Sequence, residues 1–310
     1  MKTTRNPGIG RRHKDSPIEP IFAHFLLIFR ERRLVFREHA DCARGSNPAP
    51  LGSDGAALYT LLLSWTVTAA THASSLRLAL CTLEPEWFDD ELPISRNNVD
   101  AADVLGMDHI SDTTLVHLCG APRNATVDMY SDGQALIFEV THPSLIPTRN
   151  HIEVRVAPDR QFYVYLKQIH YGANAPAGIG AAMLCRIVRA CLALRIGSIH
   201  AYAIGGRKTA TPKGMQRFLG YYAWPRYGFD GAFGGRDDEP LIAHYPHLPA
   251  GVADGSVQSL HQLLDREGGT QFWFVNGTAR SVRFEVAVDS RSMLRLVKYL
   301  TDKGILDYGF

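Results

Sequence analysis

Between residues 125 and 170 the chain runs in short β-rich stretches, Ala125 to Tyr130, Ala135 to Thr141, His151 to Ala157 and Gln161 to His170, rich in Val, Ile, Phe and Tyr. They are separated by SDG, PSLIP and PD, the turn residues of an antiparallel meander. The period then changes. Leu184, Ile187, Val188, Cys191 and Leu192 recur at helical spacing, with Arg186, Arg189 and Arg195 on other faces, and Gly197 stops the pattern before a further strand, Ser198 to Ile204. Strand, glycine loop, helix and strand form a βαβ-type unit, which places the two strands parallel.

Toward the C-terminus the pattern predicts a strand over QFWFVNG from Gln271, a second over SVRFEVAV, and a helix capped by Asp289 or Ser290 and running through Leu300. The first third reads differently. Residues 1–16 have few apolar positions and are expected to be disordered, 20–39 are helical, and CARGSNPAPLGSDG at 42–55 is a linker. Residues 56–83 are helical or mixed, and 84–120 are polar and irregular with short helical pieces. The division that follows is a basic, partly disordered region at 1–50, a helical and irregular region at 51–120, and a mixed α/β domain at 121–310.

With 310 residues, 45% of them hydrophobic, the chain is long enough for one substantial core with extra elements or for two small domains, and disorder throughout is excluded. The net charge of +2 is unevenly spread: residues 1–50 carry ten Lys/Arg against five Asp/Glu, the remainder 23 against 26. A slightly acidic body argues against nucleic-acid binding there, while the basic arm leaves that open for the N-terminus. Cys42, Cys81, Cys119, Cys185 and Cys191 show no paired spacing, so neither a zinc site nor a disulfide framework is expected, and a reducing cytoplasm fits. Ala56 to Ala70 (AALYTLLLSWTVTAA) is apolar but deep in the chain, without a basic flank and too short to span a membrane; it reads as a buried helix. Phe22 to Phe36, apolar and basic together, reads as a packed helix or one lying on a membrane surface.

The chemistry centres on NAPAGIGAAML, from Asn174 to Leu184. Small residues between a strand and a helix start let backbone N–H groups face an anion, where the helix dipole favours negative charge. A dinucleotide fingerprint would need glycine where Met183 stands and an acidic residue about twenty positions on, where SIHAYA stands; a P-loop would need GK[ST]. Neither is present.

The loop from Ala175 to Gly180, its place before the helix, the strand order around it and FLGYYAWPRYGFDG from Phe218 to Gly231 together resemble the GNAT superfamily of N-acetyltransferases. The resemblance covers roughly residues 125–235. It implies a mostly antiparallel sheet with a central parallel pair and flanking helices, and it implies acetyl-CoA as cosubstrate, held by Ile169, His170, Ala175, Ala177, Gly178, Ile179, Gly180 and Ala181, with no metal. The family's usual Arg or Gln is Ala175 here, and Pro176 removes one N–H donor. Arg207, Lys208 or Lys213 are candidates to reach the phosphates from a neighbouring loop.

Acetyl transfer requires a deprotonated amine, a polarised thioester carbonyl and a proton for the departing thiolate. The resemblance points to a Tyr on the late helix as the acid: Tyr222 first, Tyr221 second, with ring packing the alternative for each. For the base, Glu139 sits within the apolar run ALIFEV, where a carboxylate is costly unless partnered, unless strand alternation turns it to solvent. Glu153, His142 and His170 are further candidates. Trp224 and Arg226 read as an acceptor wall with a group for an acidic substrate, or as core packing with Arg226 paired to Asp230. HYPHLP at 244–249 is a poor metal site without a third ligand.

The function these residues imply is acetyl-CoA-dependent acylation of an amine of unidentified class by direct transfer. The alternatives are a catalytically silent GNAT-like binding module and an effector or toxin domain using the same chemistry.

Overall fold

The computed structural model describes residues 81–306 apart from 207–217, 237 and 244. The element expected at 20–39, the one at 56–83 except for its last three residues, the linker between them and the N-terminal arm lie outside the described residues. Nine helices and seven strands are described, and the strands form a single mixed sheet in the order β1 to β7.

A short helix, α1 (Glu84–Trp87), precedes strand β1 (Ile94–Arg96). Helices α2 (Ala101–Leu105) and α3 (Asp112–Cys119) then cross back to β2 (Thr126–Ser131), so that β1 and β2 are parallel. Both helices start on side-chain caps, Asp100 accepting from Ala102 N and Ser111 from Thr114 N. The expected meander follows: β3 (Ala135–His142), β4 (Ile146–Val156) and β5 (Phe162–Gln168), each antiparallel to its predecessor. The turn at SDG is held as expected, while His142, a candidate base, serves a turn instead. Asp132 Oδ1 accepts from Gln134 N and Ala135 N, and His142 Nδ1 accepts from Ser144 N and Leu145 N.

Helix α4 (Ile179–Ala193) crosses from β5 to β6 (Ser198–Gly206), which lies parallel to β5. The chain continues through α5 (Gly220–Arg226), α6 (Glu239–Ile242), α7 (Leu260–Leu264) and α8 (Gly269–Asn276) to β7 (Thr278–Glu285), antiparallel to β6, and ends on α9 (Arg291–Asp302), capped by Ser290 as its sequence predicts. The segment from Gln271 to Asn276 is helical rather than extended. Phe272 and Trp273 are both fully buried, and the Trp273 indole N–H donates to Tyr221 O at 2.8 Å.

Strand alternation sorts the sheet. Phe138, Val140, Ile152, Val154, Val164, Leu166, Ile199 and Ala201 join Met183, Leu184 and Ile187 of α4 in one buried core. Burial of each large side chain is worth about 1.5–3 kcal/mol. The opposite positions carry Glu139, His151, Glu153, Arg155, Tyr163, Tyr165, Lys167 and His200. The face of α4 that bears Arg186 and Arg189 is closed as well: Glu84 of α1, itself buried, pairs with both guanidinium groups, and Asp90 adds a second carboxylate on Arg186.

Candidate functional site

Strands β5 and β6 pair from Tyr163↔Ser198 to Leu166↔Ala201, and there the pairing stops. Beyond it β5 stays with β4 as far as Gln168, while β6 follows β7 as far as Gly206. A wedge therefore opens between Lys167–Gln168 on one side and Tyr202–Gly206 on the other, at the C-terminal ends of the parallel pair. Each side presents backbone groups that have no partner across the gap.

His170 and Phe218 meet beyond the paired region, their rings 5.8 Å apart. Asn150, buried on β4, accepts the His170 N–H at 2.7 Å and so fixes the chain as it leaves β5. Phe218 is held on the β6 side because Leu219 bridges Gly205. Gly205 permits this approach: its φ is +116°, and a Cβ there would lie 2.1 Å from Phe218 O. Tyr202, Ile204, Phe218 and Leu219 are exposed around the mouth.

The glycine loop lies between the end of β5 and the head of α4. Its geometry is partly self-satisfied: Ile179 N donates to Pro176 O, and Ala181 N and Ala182 N donate to Gly178 O. The N–H groups of Ala177, Gly178 and Gly180 make no hydrogen bond to a described residue. Three free donors at the positive end of a 15-residue helix form an arrangement suited to an anion.

The two glycines differ. Gly178 has φ +92° and lies against the chain's own C-terminal segment, so that a Cβ would approach Ile305 Cδ1 to 2.6 Å and Leu83 Cδ1 to 3.3 Å. A Cβ on Gly180 would meet nothing within 4 Å, so the open side of the helix head is at Gly180. Ala177 is exposed, Ala175 half-buried, and Ile179 and Ala181 point into the core. Ile169 is half-buried at the wedge. Arg207, Lys208 and Lys213, the expected phosphate partners, lie outside the described residues.

Helix α5 starts directly on β6, since a Cβ on Gly220 would stand 3.0 Å from Ile204 O. Tyr221 is buried, and its hydroxyl donates to Phe274 O at 2.9 Å. Tyr222 is half-buried, packed on Phe274 with ring centroids 4.8 Å apart and under the Arg226 guanidinium at 5.0 Å; its hydroxyl makes no hydrogen bond to a described residue. Arg226 also lies 5.2 Å from the Tyr299 ring, which places it between two aromatic faces. Asp230 is engaged elsewhere, accepting from Gly231 N and His261 N. Trp224 packs on Phe229 and Tyr227. Pro225 falls in the last turn of α5, one residue before its end at Arg226.

Glu139 lies two strands from the wedge, in a polar network. It accepts from the Tyr130 hydroxyl at 3.0 Å and from Arg149 at 2.7 Å, and His151 Nδ1 is 3.5 Å away. The other ring nitrogen of His151 lies 2.8 Å from Glu153 Oε1, though outside hydrogen-bond geometry. Glu153 in turn pairs with Lys167 at 2.9 Å and with Arg155. Burial pushes the Glu153 carboxyl up, but Lys167 and Arg155 outweigh it and hold the group below the usual carboxylate range. A chain of ionisable groups thus runs from Glu139 to Lys167 at the wedge. His142 is taken up by its turn.

Of the residues singled out from the sequence, the structure brings Ile169, His170, Ala177, Gly178 and Gly180 to one region. Tyr221 lies in the core, and Trp224 and Arg226 face aromatic neighbours farther along α5. Tyr163, Tyr165, Lys167 and His200 were missed, although Tyr163, Tyr165 and Lys167 stand at alternate positions of one strand and therefore share a face. Among the described residues no group of three or more His, Cys, Asp and Glu side chains is placed to hold a metal.

Compared with known proteins, the chain matches no protein-family model, no curated protein and no solved structure. The functional reading therefore rests on its own residues and geometry.

Proposed function

We propose that this chain is a GNAT-like N-acetyltransferase that uses acetyl-CoA as cosubstrate and acylates an amine by direct transfer. The observation that carries the reading is the parting of β5 and β6 beside three free N–H groups at the head of α4. Acetyl-CoA supplies an activated thioester. The N–H groups of Ala177, Gly178 and Gly180 receive its pyrophosphate, and the unpaired backbone edges of the wedge orient the chain leading to the thioester. A wedge N–H polarises the thioester carbonyl while the acceptor nitrogen attacks its carbon. As the C–N bond forms and the C–S bond breaks, Tyr222 supplies the thiolate's proton, and the proton that the acceptor nitrogen loses returns to Tyr222 through solvent.

The test is release of free CoA thiol from acetyl-CoA in the presence of a lysine-containing peptide, a polyamine and a free amino acid. Tyr222→Phe should lower kcat about 100-fold, as loss of a general acid does, with cofactor affinity within about twofold of the parent. Unchanged turnover would remove Tyr222 from the mechanism. A second reading, a catalytically silent binding module, is favoured by the closure of Gly178 against Ile305 and Leu83 and by Ala175 and Pro176. It predicts no release of CoA thiol from acetyl-CoA with any of these acceptors.

A further inference from the structure

A separate cavity of about 290 Å³ opens where β7 meets α7 and the start of α9, lined by Asp230, His261, Arg283, Glu285, Arg291 and Ser292. It lies near the Ser198↔Glu285 end of the β6–β7 pair, whereas the wedge begins past Ala201. At 3.3 Å per residue, Ser198 and Tyr202 are about 13 Å apart along β6.

His261 and Asp230 set the chemistry. The imidazole is buried, with a side-chain exposure of 3%, and its Nε2 lies 3.0 Å from Gly228 O. A carbonyl only accepts, so Nε2 carries the hydrogen, and in the neutral ring Nδ1 presents a lone pair. That lone pair faces Asp230 Oδ2 at 3.6 Å. Burial holds the ring below the ordinary imidazole value; Asp230 opposes this and Arg295 adds to it. Two acceptors face each other at a spacing that a group with several N–H donors would bridge.

The other walls supply opposite chemistry. Arg283 makes no ion pair or side-chain hydrogen bond to a described residue, and neither does the Glu285 carboxylate. Arg291 is already paired with Asp265. Ser292 Oγ accepts from Glu285 N at 3.1 Å, which leaves its hydrogen to donate. Arg283 in the wall disfavours a metal ion, and among the described residues no three His, Cys, Asp or Glu side chains are placed to hold one; Asp230 and Glu285 disfavour a simple anion.

We propose that this cavity binds a free α-amino acid with a basic side chain: its α-ammonium between His261 Nδ1 and Asp230, its carboxylate on Arg283, and its second cation toward Glu285. The volume suits a ligand at the small end of the usual range. The assignment does not rest on the acyl-transfer reading.

The experiment is calorimetric titration of the full chain with L-lysine, L-leucine, L-glutamate, Nα-acetyl-L-lysine and L-lysinamide. L-lysine should bind; L-glutamate and both blocked forms should bind at least tenfold more weakly. Arg283→Met and Asp230→Asn should each weaken L-lysine tenfold or more while leaving the melting temperature of the free protein unchanged. Gly180→Trp, at the head of α4, should leave the affinity as it was. The proposal is overturned if no free amino acid binds at millimolar concentration, if the blocked forms bind as well as L-lysine, or if Arg283→Met has the parent's affinity.

Discussion

Gly178 and Gly180 share a loop and a residue type, yet they do different work. Gly178 is needed for its left-handed backbone and for the close approach of Ile305, whereas Gly180 is right-handed and has open space around it. Gly178→Ala should therefore cost about 1–2 kcal/mol, chiefly from the positive φ, while Gly180→Ala should be neutral or add up to about 1 kcal/mol of helix stability. Urea denaturation of the two variants checks this, and equal losses would contradict it. The adjacent tyrosines separate in the same way. Tyr221→Phe strips the hydrogen bond to Phe274 O and should destabilise by about 1 kcal/mol, whereas Tyr222→Phe should leave stability as it was and act on turnover. From sequence the two tyrosines were ordered but not separated, because helical spacing alone does not say which of two neighbours meets a carbonyl fifty residues away.

Among the elements, β4 was expected from His151 but begins at Ile146, inside the run read as a turn, whereas α4, β2, β3 and β5 were legible because each has a clear period and turn residues at both ends. Helix α8 was not. GTQFWFVN has aromatic and β-branched residues and no polar face, since Phe272 and Trp273 are buried on different sides, and such a run reads as a strand. Strand β1 was invisible for the opposite reason, being three residues long and largely exposed. The partner of Arg186 and Arg189 was also beyond reach, because Glu84 lies about a hundred positions away in a segment that reads as irregular. That pairing ties α1 to α4. Glu84→Gln should leave Arg189 without its counter-charge and Arg186 with Asp90 alone, and should cost about 3 kcal/mol, measured by denaturation. A loss below about 0.5 kcal/mol would mean that the pair behaves as a surface salt bridge.

For the whole molecule, the ionisable groups set a direction with pH. His117, His200 and His261 are held below their ordinary value of 6.5, foremost by burial, with Arg186, Arg283 and Arg295 adding to it and the carboxylates of Asp90 and Asp230 opposing it at His117 and His261. The unfolded chain then binds these protons first, so stability is full above about pH 6.5 and falls as pH drops toward the folded values. Glu153, also depressed, adds a second decline below its ordinary value of 4.5. Denaturation midpoints at pH 7.5, 5.5 and 4.0 should decrease in that order, and His200→Gln should flatten the first step; equal stability at pH 7.5 and 5.5 would contradict the assignment.

The antiparallel strands and the parallel pair around α4 were expected from the chain's own pattern, and the central place of that pair was implied by the GNAT resemblance. The parting of that pair was not legible, since no residue pattern marks where two strands stop pairing. The proposed activity depends on that parting and on the open head of α4, and calorimetric titration with acetyl-CoA tests both most directly. Acetyl-CoA should bind the parent chain and fail to bind Gly180→Trp, at a position where a Cβ meets nothing within 4 Å. No binding to the parent at high cofactor concentration, or equal binding to Gly180→Trp, would contradict the assignment of this loop as a cofactor site.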